Sequence, residues 1–115
     1  MADNKDDKGQ NAREFFRIHY TAPDNPILEM DKVKFFVIDI SEGGLKFTPK
    51  KGQIFAAGQR ISGKILFGSR GFYMIKGSIL RVSIRDIAVQ LDEPSRIPLT
   101  RIMEEQRFLI QKGKM

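Results

Sequence analysis

The sequence contains no cysteine, which excludes a disulfide framework, a thiolate nucleophile and a Cys-ligated zinc. A single histidine, His19, leaves no His-rich metal site. No apolar run approaches ~20 residues, so no membrane-spanning helix is expected. The first ten residues are polar and mixed in charge, unlike a signal peptide, and a cytoplasmic protein is the expectation. No nucleophile-elbow sequence lies near His19, which reads as a solvent-facing strand residue. Glu104-Glu105 reads as part of a charged helix face rather than an acid–base pair. Gly58-Gln59-Arg60-Ile61-Ser62-Gly63-Lys64 fits seven positions of a phosphate-binding loop. Ile65 then stands where a magnesium-binding Ser or Thr is needed, and a strand follows instead of a helix. The expectation is therefore no catalytic residue, no metal site and no enzyme.

What is present is a single small domain. The chain has 115 residues, of which 41% are hydrophobic, so one core can be filled; a domain of this size buries roughly 65% of its unfolded surface. Residues 1–12 hold two Lys and three Asp and show no apolar periodicity, which reads as a flexible N-terminal arm. The remainder, 13–115, reads as the single domain. It carries 18 Lys+Arg against 11 Asp+Glu, and that basic balance favours an anionic partner.

The pattern from Phe16 onward is mainly strand. Ile18 and Tyr20 alternate with Arg17 and His19, and Pro23-Asp24-Asn25-Pro26 is a turn signal. Val33 to Ile40 is β-branched and aromatic, with Lys34, Phe36, Ile38 and Ile40 expected on one face. Gly43-Gly44 interrupts, and Leu45 to Phe47 resumes. Ile61, Ile65 and Phe67 share a face before the hairpin signal Gly68-Ser69-Arg70-Gly71. In the stretch Phe72 to Ile84 the apolar phase slips between Ile79 and Leu80, predicting a bulge. Ile87, Val89 and Leu91 form the last alternating run. From about residue 97 the period becomes helical, with Leu99, Ile102, Met103, Leu109 and Ile110 on one side. Pro98 suits the first turn, and Glu104 and Arg107 are surface neighbours. The fold class that follows is all-β: a small six-stranded antiparallel barrel with a C-terminal helix packed on it.

Two short motifs carry the chemistry. Arg13-Glu14-Phe15-Phe16-Arg17 lies between the arm and the first strand, and Asp39-Ile40-Ser41-Glu42-Gly43-Gly44 ends the most hydrophobic strand. Arginine presents a planar fork that bonds two acceptors at once, and guanine offers such a pair in O6 and N7. Asp39 and Ser41, two apart in an extended segment, leave the same face. A carboxylate there can accept from guanine N1 and N2, and the hydroxyl can bond a base or a phosphate. Gly43 and Gly44 permit positive φ and close approach to the backbone.

This pair of motifs resembles the PilZ domain family. The family pattern is Arg-x-x-x-Arg followed by Asp/Asn-x-Ser-x-x-Gly, matched here by Arg13 and Arg17, then Asp39, Ser41 and Gly44, with 21 residues between Arg17 and Asp39. The likeness extends to the Lys76–Arg81 and Ala88–Leu91 strands. The resemblance implies a six-stranded β-barrel with a C-terminal helix and a bacterial receptor for the second messenger cyclic di-GMP. It also implies that Arg13 and Arg17 contact guanine and phosphate, that Asp39 and Ser41 contact the other guanine edge, and that Gly44 is a permissive turn. Arg81 falls near a position that packs on the ligand in some relatives. Ala12 supplies no cation ahead of the first motif arginine, which leans toward one ligand molecule per chain. Ligand is expected to order the arm and expose a surface for a downstream protein partner, since no output domain is evident in the chain. Two other readings stay open: a basic barrel binding single-stranded nucleic acid through Phe15, Phe16, Phe35 and Tyr73, and a ligand-independent protein adaptor.

Overall fold

Alternation of apolar and polar residues along each run produces seven strands: β1 (Ile18–His19), β2 (Ile27–Met30), β3 (Val33–Ser41), β4 (Gly44–Phe47), β5 (Arg60–Leu66), β6 (Phe72–Val82) and β7 (Ile87–Leu91), followed by one helix, α1 (Leu99–Gln111). The computed structural model describes residues 15–114; the expected arm and Arg13 lie outside the described residues. Every pairing is antiparallel. The order β3-β2-β5-β6-β7-β4 closes through a β3–β4 pairing, giving a six-stranded barrel, and β1 is added outside it along β3. None of the helices among the described residues is long and apolar enough to cross a membrane.

Inward positions of all six barrel strands form the core, among them Leu28, Phe35, Val37, Ile40, Phe47, Ile65, Ile75 and Val89. Phe35 and Phe47 meet with ring centroids 5.0 Å apart, and Phe55 packs on both. The predicted bulge in β6 is present, with the register shifting between Ile79 and Arg81.

A second bulge corrects the reading of β3. The register shifts between Val37 and Asp39, leaving Ile38 as the extra residue. Lys34, Phe36, Ile38 and Ile40 therefore do not share a face. Ile40 joins Phe35 and Val37 in the core, while Phe36 lies outside. An inserted residue flips the alternation, so parity holds only up to the bulge.

The helix also differs from expectation. Ile102 and Leu109 are buried, but Leu99, Met103 and Ile110 are exposed. Glu105 is not on a charged face; it is fully buried. Its carboxylate accepts the Tyr20 hydroxyl at 2.7 Å and the Arg70 Nε at 2.6 Å. The Arg70 guanidinium in turn lies 3.5 Å from the centroid of the Phe108 ring. This polar anchor fastens α1 to the residue that follows β1 and to the short 3-10 turn Gly68–Arg70 between β5 and β6. Glu104 pairs with Arg101 at 3.8 Å.

Candidate functional site

The end of β3 and the start of β4 form one wall of a cavity of about 320 Å³, lined by Phe15, Arg17, Ser41, Gly43, Gly44, Leu80, Val89, Gln90, Leu91 and Arg96. Arg17 leads into β1, where His19, two residues on, pairs with Asp39 in register. That pairing brings two residues 22 apart in sequence into contact: Arg17 Nη1 donates to Asp39 Oδ1 at 2.7 Å. Asp39 is 1% exposed. Its second oxygen, Oδ2, is buried and accepts no hydrogen bond among the described residues. His19 Nδ1 lies 3.6 Å from it and Lys46 Nζ 3.9 Å. One buried carboxylate thus stands behind the wall, faced by three basic side chains, with one acceptor oxygen left over among the described residues.

Ser41 is buried beside it, on the face it shares with Asp39, and its hydroxyl donates weakly across the turn to the Gly44 carbonyl at 3.4 Å. Gly44 is not a positive-φ turn residue, which corrects the reading of both Gly43 and Gly44; the positive-φ glycines of the described residues lie elsewhere. What Gly44 supplies is close approach between strands. A Cβ there would sit 2.6 Å from the Val89 carbonyl oxygen, a backbone atom of the paired strand β7. At Gly43 a Cβ would meet the Phe15 ring at 2.9 Å, and a side chain can move aside. Gly44→Ala should therefore lower stability by several-fold more than Gly43→Ala, with overpacking costs of about 1–3 kcal/mol for a crowded site. Thermal unfolding of the two variants measures this, and equal shifts would contradict the assigned role.

The rest of the rim is held by the segment after β7. The Leu91 N–H donates to the Gly43 carbonyl at 2.9 Å and the Ile97 N–H to the Glu42 carbonyl at 3.0 Å. Tyr73 Oη donates to the Arg96 carbonyl at 2.5 Å, and Ser95 Oγ accepts the Lys76 N–H at 3.0 Å. The Arg60 fork grips Asp92 through both oxygens and, by hydrogen bonding first, holds that carboxyl below its usual range. So clamped, Arg96 places its guanidinium 5.3 Å from the Phe15 ring centroid.

The structure brings Arg17, Asp39, Ser41 and Gly44 together. Arg81 does not line the cavity; its guanidinium lies 3.6 Å from Asp86, while its neighbour Leu80, at the bulge, reaches the cavity. Arg96 and Gln90 were not singled out as site residues from the sequence, and Phe15 only as a base-stacking residue in the nucleic-acid reading. Arg96, set between Pro94 and Pro98 ahead of the helix, carried the one usable signal: an arginine in a rigid connection of a basic chain. Of the aromatics considered for base stacking, Phe35 is core and Tyr73 is packed against it, leaving Phe15 at the cavity and Phe16 exposed. Chemically, the cavity offers the forks of Arg17 and Arg96 for an anion, the Ser41 hydroxyl for a polar contact and the flat Phe15 ring with Leu80 for a planar base, with the Asp39 carboxylate buried behind Arg17.

A family model described as PilZ domain matches residues 11–105. No curated protein matches the sequence. Among solved structures, the PilZ domain with c-di-GMP of YcgR from Escherichia coli is similar at a TM-score of 0.67 and 16% identity, covering 90% of this chain and 98% of that one. MrkH from K. pneumonia, in a complex with c-di-GMP, is similar at 0.64 and 18%, covering 89% of this chain and 54% of that one. An uncharacterised Legionella protein is similar at 0.58 and 13%, covering 87% and 99%. These likenesses share the barrel and helix described above.

Proposed function

We propose that this chain, which belongs to the PilZ domain family, is a receptor for cyclic di-GMP. The observation that carries the reading is the meeting of the two sequence motifs: Arg17, which lines the cavity with Ser41 and Gly44, touches the buried Asp39 behind that wall at 2.7 Å. In this reading Arg17 turns its fork from Asp39 to a guanine O6/N7 edge or a phosphate, and Arg13 joins it from the preceding segment. Asp39, whose Oδ2 has no hydrogen bond among the described residues, accepts from N1 and N2 of a guanine. Ser41 bonds base or phosphate. Gly44 keeps β4 close enough to β7 to hold the wall in shape. Arg96 adds a second fork across the cavity, and Arg81 stands outside as a cation that would reach ligand only on leaving Asp86. The two structural neighbours described above that carry c-di-GMP in their names are similar in fold over about nine-tenths of this chain, which supports the reading.

The same reading extends to transmission. Arg13 and Arg17 precede β1, so a ligand held by both fixes the segment leading into the barrel. Ordering costs roughly 1–2 kcal/mol per residue, and charge-assisted bonds of about 1.5–3 kcal/mol each offset it. The fixed segment and ligand together form a new surface for a downstream protein.

Asp39→Asn tests the base reading. The amide replaces one of two acceptors with a donor, so affinity for cyclic di-GMP should fall about 10- to 100-fold, as expected for loss of a bidentate base contact. Preference for the guanine dinucleotide over cyclic di-AMP should narrow at the same time. Equal loss for both ligands would argue that Asp39 does not read the base.

A further inference from the structure

Across the barrel from the cavity, the outward face of four strands carries an apolar row. Phe36 on β3 pairs with Ile27 on β2, Ile27 with Leu66 on β5, and Leu66 with Phe72 on β6. All four positions are outward, since the residues alternating with them, such as Leu28, Phe35 and Ile65, fill the core. Phe36 is 60% exposed, Phe72 57% and the adjacent Met74 61%. The next row is charged: Lys34, Glu29 and Lys64 lie side by side and end at Met74. Lys64 Nζ rests 5.3 Å from the Phe72 ring centroid. Lys50 bonds the Lys34 carbonyl and, with Phe36, Ile27 and Pro49, lines an adjoining cleft of about 290 Å³. No ion pair among the described residues engages Lys34, Lys50 or Lys64.

We propose that this face docks an acidic amphipathic helix of a partner protein, its apolar stripe on the Phe36–Phe72 row and its carboxylates on the three lysines. Exposed aromatic and methionine side chains in one continuous row mark a protein interface rather than scattered surface residues. Strands lie about 4.8 Å apart, so the row spans about 14 Å, close to the ~16 Å of three helical turns. The charges select the partner's sign, because three lysines border the row and Glu29 alone opposes them. Between the two rings the row is aliphatic, Ile27 and Leu66, which offers bases no stacking surface and suits the apolar stripe of a helix; this favours a protein over a nucleic acid. In a six-strand ring β2 and β5 lie opposite β7 and β4, so a partner here leaves the cavity open. The inference stands on its own observations and does not depend on the identity of the ligand in that cavity.

The test uses the full chain and a synthetic helical peptide of about 15 residues, with leucines at i, i+4, i+7 and i+11 flanked by glutamates. A second peptide replaces the glutamates with lysines. The acidic peptide should bind at least about 10-fold more tightly, one decade of affinity, and shift the amide resonances of Ile27, Phe36, Leu66 and Phe72. Phe36→Ser and Phe72→Ser should each weaken it by a similar factor. Lys34→Glu with Lys64→Glu, which leaves the apolar row intact, should reverse the preference between the peptides. Equal binding of both peptides, displacement of the acidic peptide by oligothymidine, or self-association of the chain through these residues would each overturn the proposal.

Discussion

Arg17→Ala should cut the affinity for cyclic di-GMP by at least about 100-fold and also lower stability, whereas Arg17→Lys should restore stability without restoring affinity. The two effects separate because Arg17 has two tasks. Toward ligand it supplies a planar fork with two donors, each charge-assisted bond contributing about 1.5–3 kcal/mol. Loss of both amounts to two decades or more. Toward the fold it supplies a positive charge at 2.7 Å from Asp39, which is 1% exposed. Without it the buried carboxylate keeps only the weaker contacts to His19 and Lys46, at a cost of about 1–3 kcal/mol. Lysine returns the charge but not the fork. Calorimetric titration and thermal unfolding of the same three proteins check this. Wild-type affinity in Arg17→Lys would show that the fork is not used.

The largest stability loss should come from Glu105→Ala, about 3–5 kcal/mol, because it strands the partners of a buried carboxylate. Tyr20 Oη and the Arg70 fork both bond Glu105, which is wholly inaccessible. A Tm fall of about 12 °C or more is expected, at roughly 4–8 °C per kcal/mol for a domain of this size. Tyr20→Phe, which removes one donor and leaves the Arg70 pair, should cost only about 1 kcal/mol. Burial first, and then the charge of Glu105, pushes the Tyr20 phenol far above its ordinary range. The unfolded chain therefore releases this proton above about pH 10 while the folded chain retains it. The folded form binds more protons there, so stability is complete below that pH and declines as pH rises. Tyr20→Phe should flatten this part of the decline. An unchanged alkaline profile, or a Glu105→Ala variant as stable as wild type, would remove the anchor from the account.

Much of the barrel can be read from strand alternation, and the phase slip at Leu80 foretells the β6 bulge. The strand β2 leaves almost no signal. Its hairpin with β3 turns at Asp31 and Lys32, both at positive φ, without the glycine or asparagine that usually announces such a turn. The Ile38 bulge is equally silent, because β-branched and aromatic residues continue through it. Glu105 misleads for a different reason: a glutamate beside another glutamate resembles a solvated face, and only the tertiary meeting with Tyr20 and Arg70 makes burial tolerable. At the site, the spacing of Asp39 and Ser41 gives their shared face correctly, since both lie beyond the bulge. Gly44 is required for a reason no local pattern contains, the approach of a strand 45 residues later in the chain. Arg96 joins the cavity by the same kind of long-range closure, through hydrogen bonds from Leu91 and Ile97 to the β3–β4 turn.

The most direct measurement is a calorimetric titration of the full chain with cyclic di-GMP, repeated with Arg17→Lys and Asp39→Asn. The account predicts a saturable heat in the wild type, with one dinucleotide per chain, that is weakened in both variants while each remains folded. A wild-type titration without heat, or one that both substitutions leave unaltered, would contradict it.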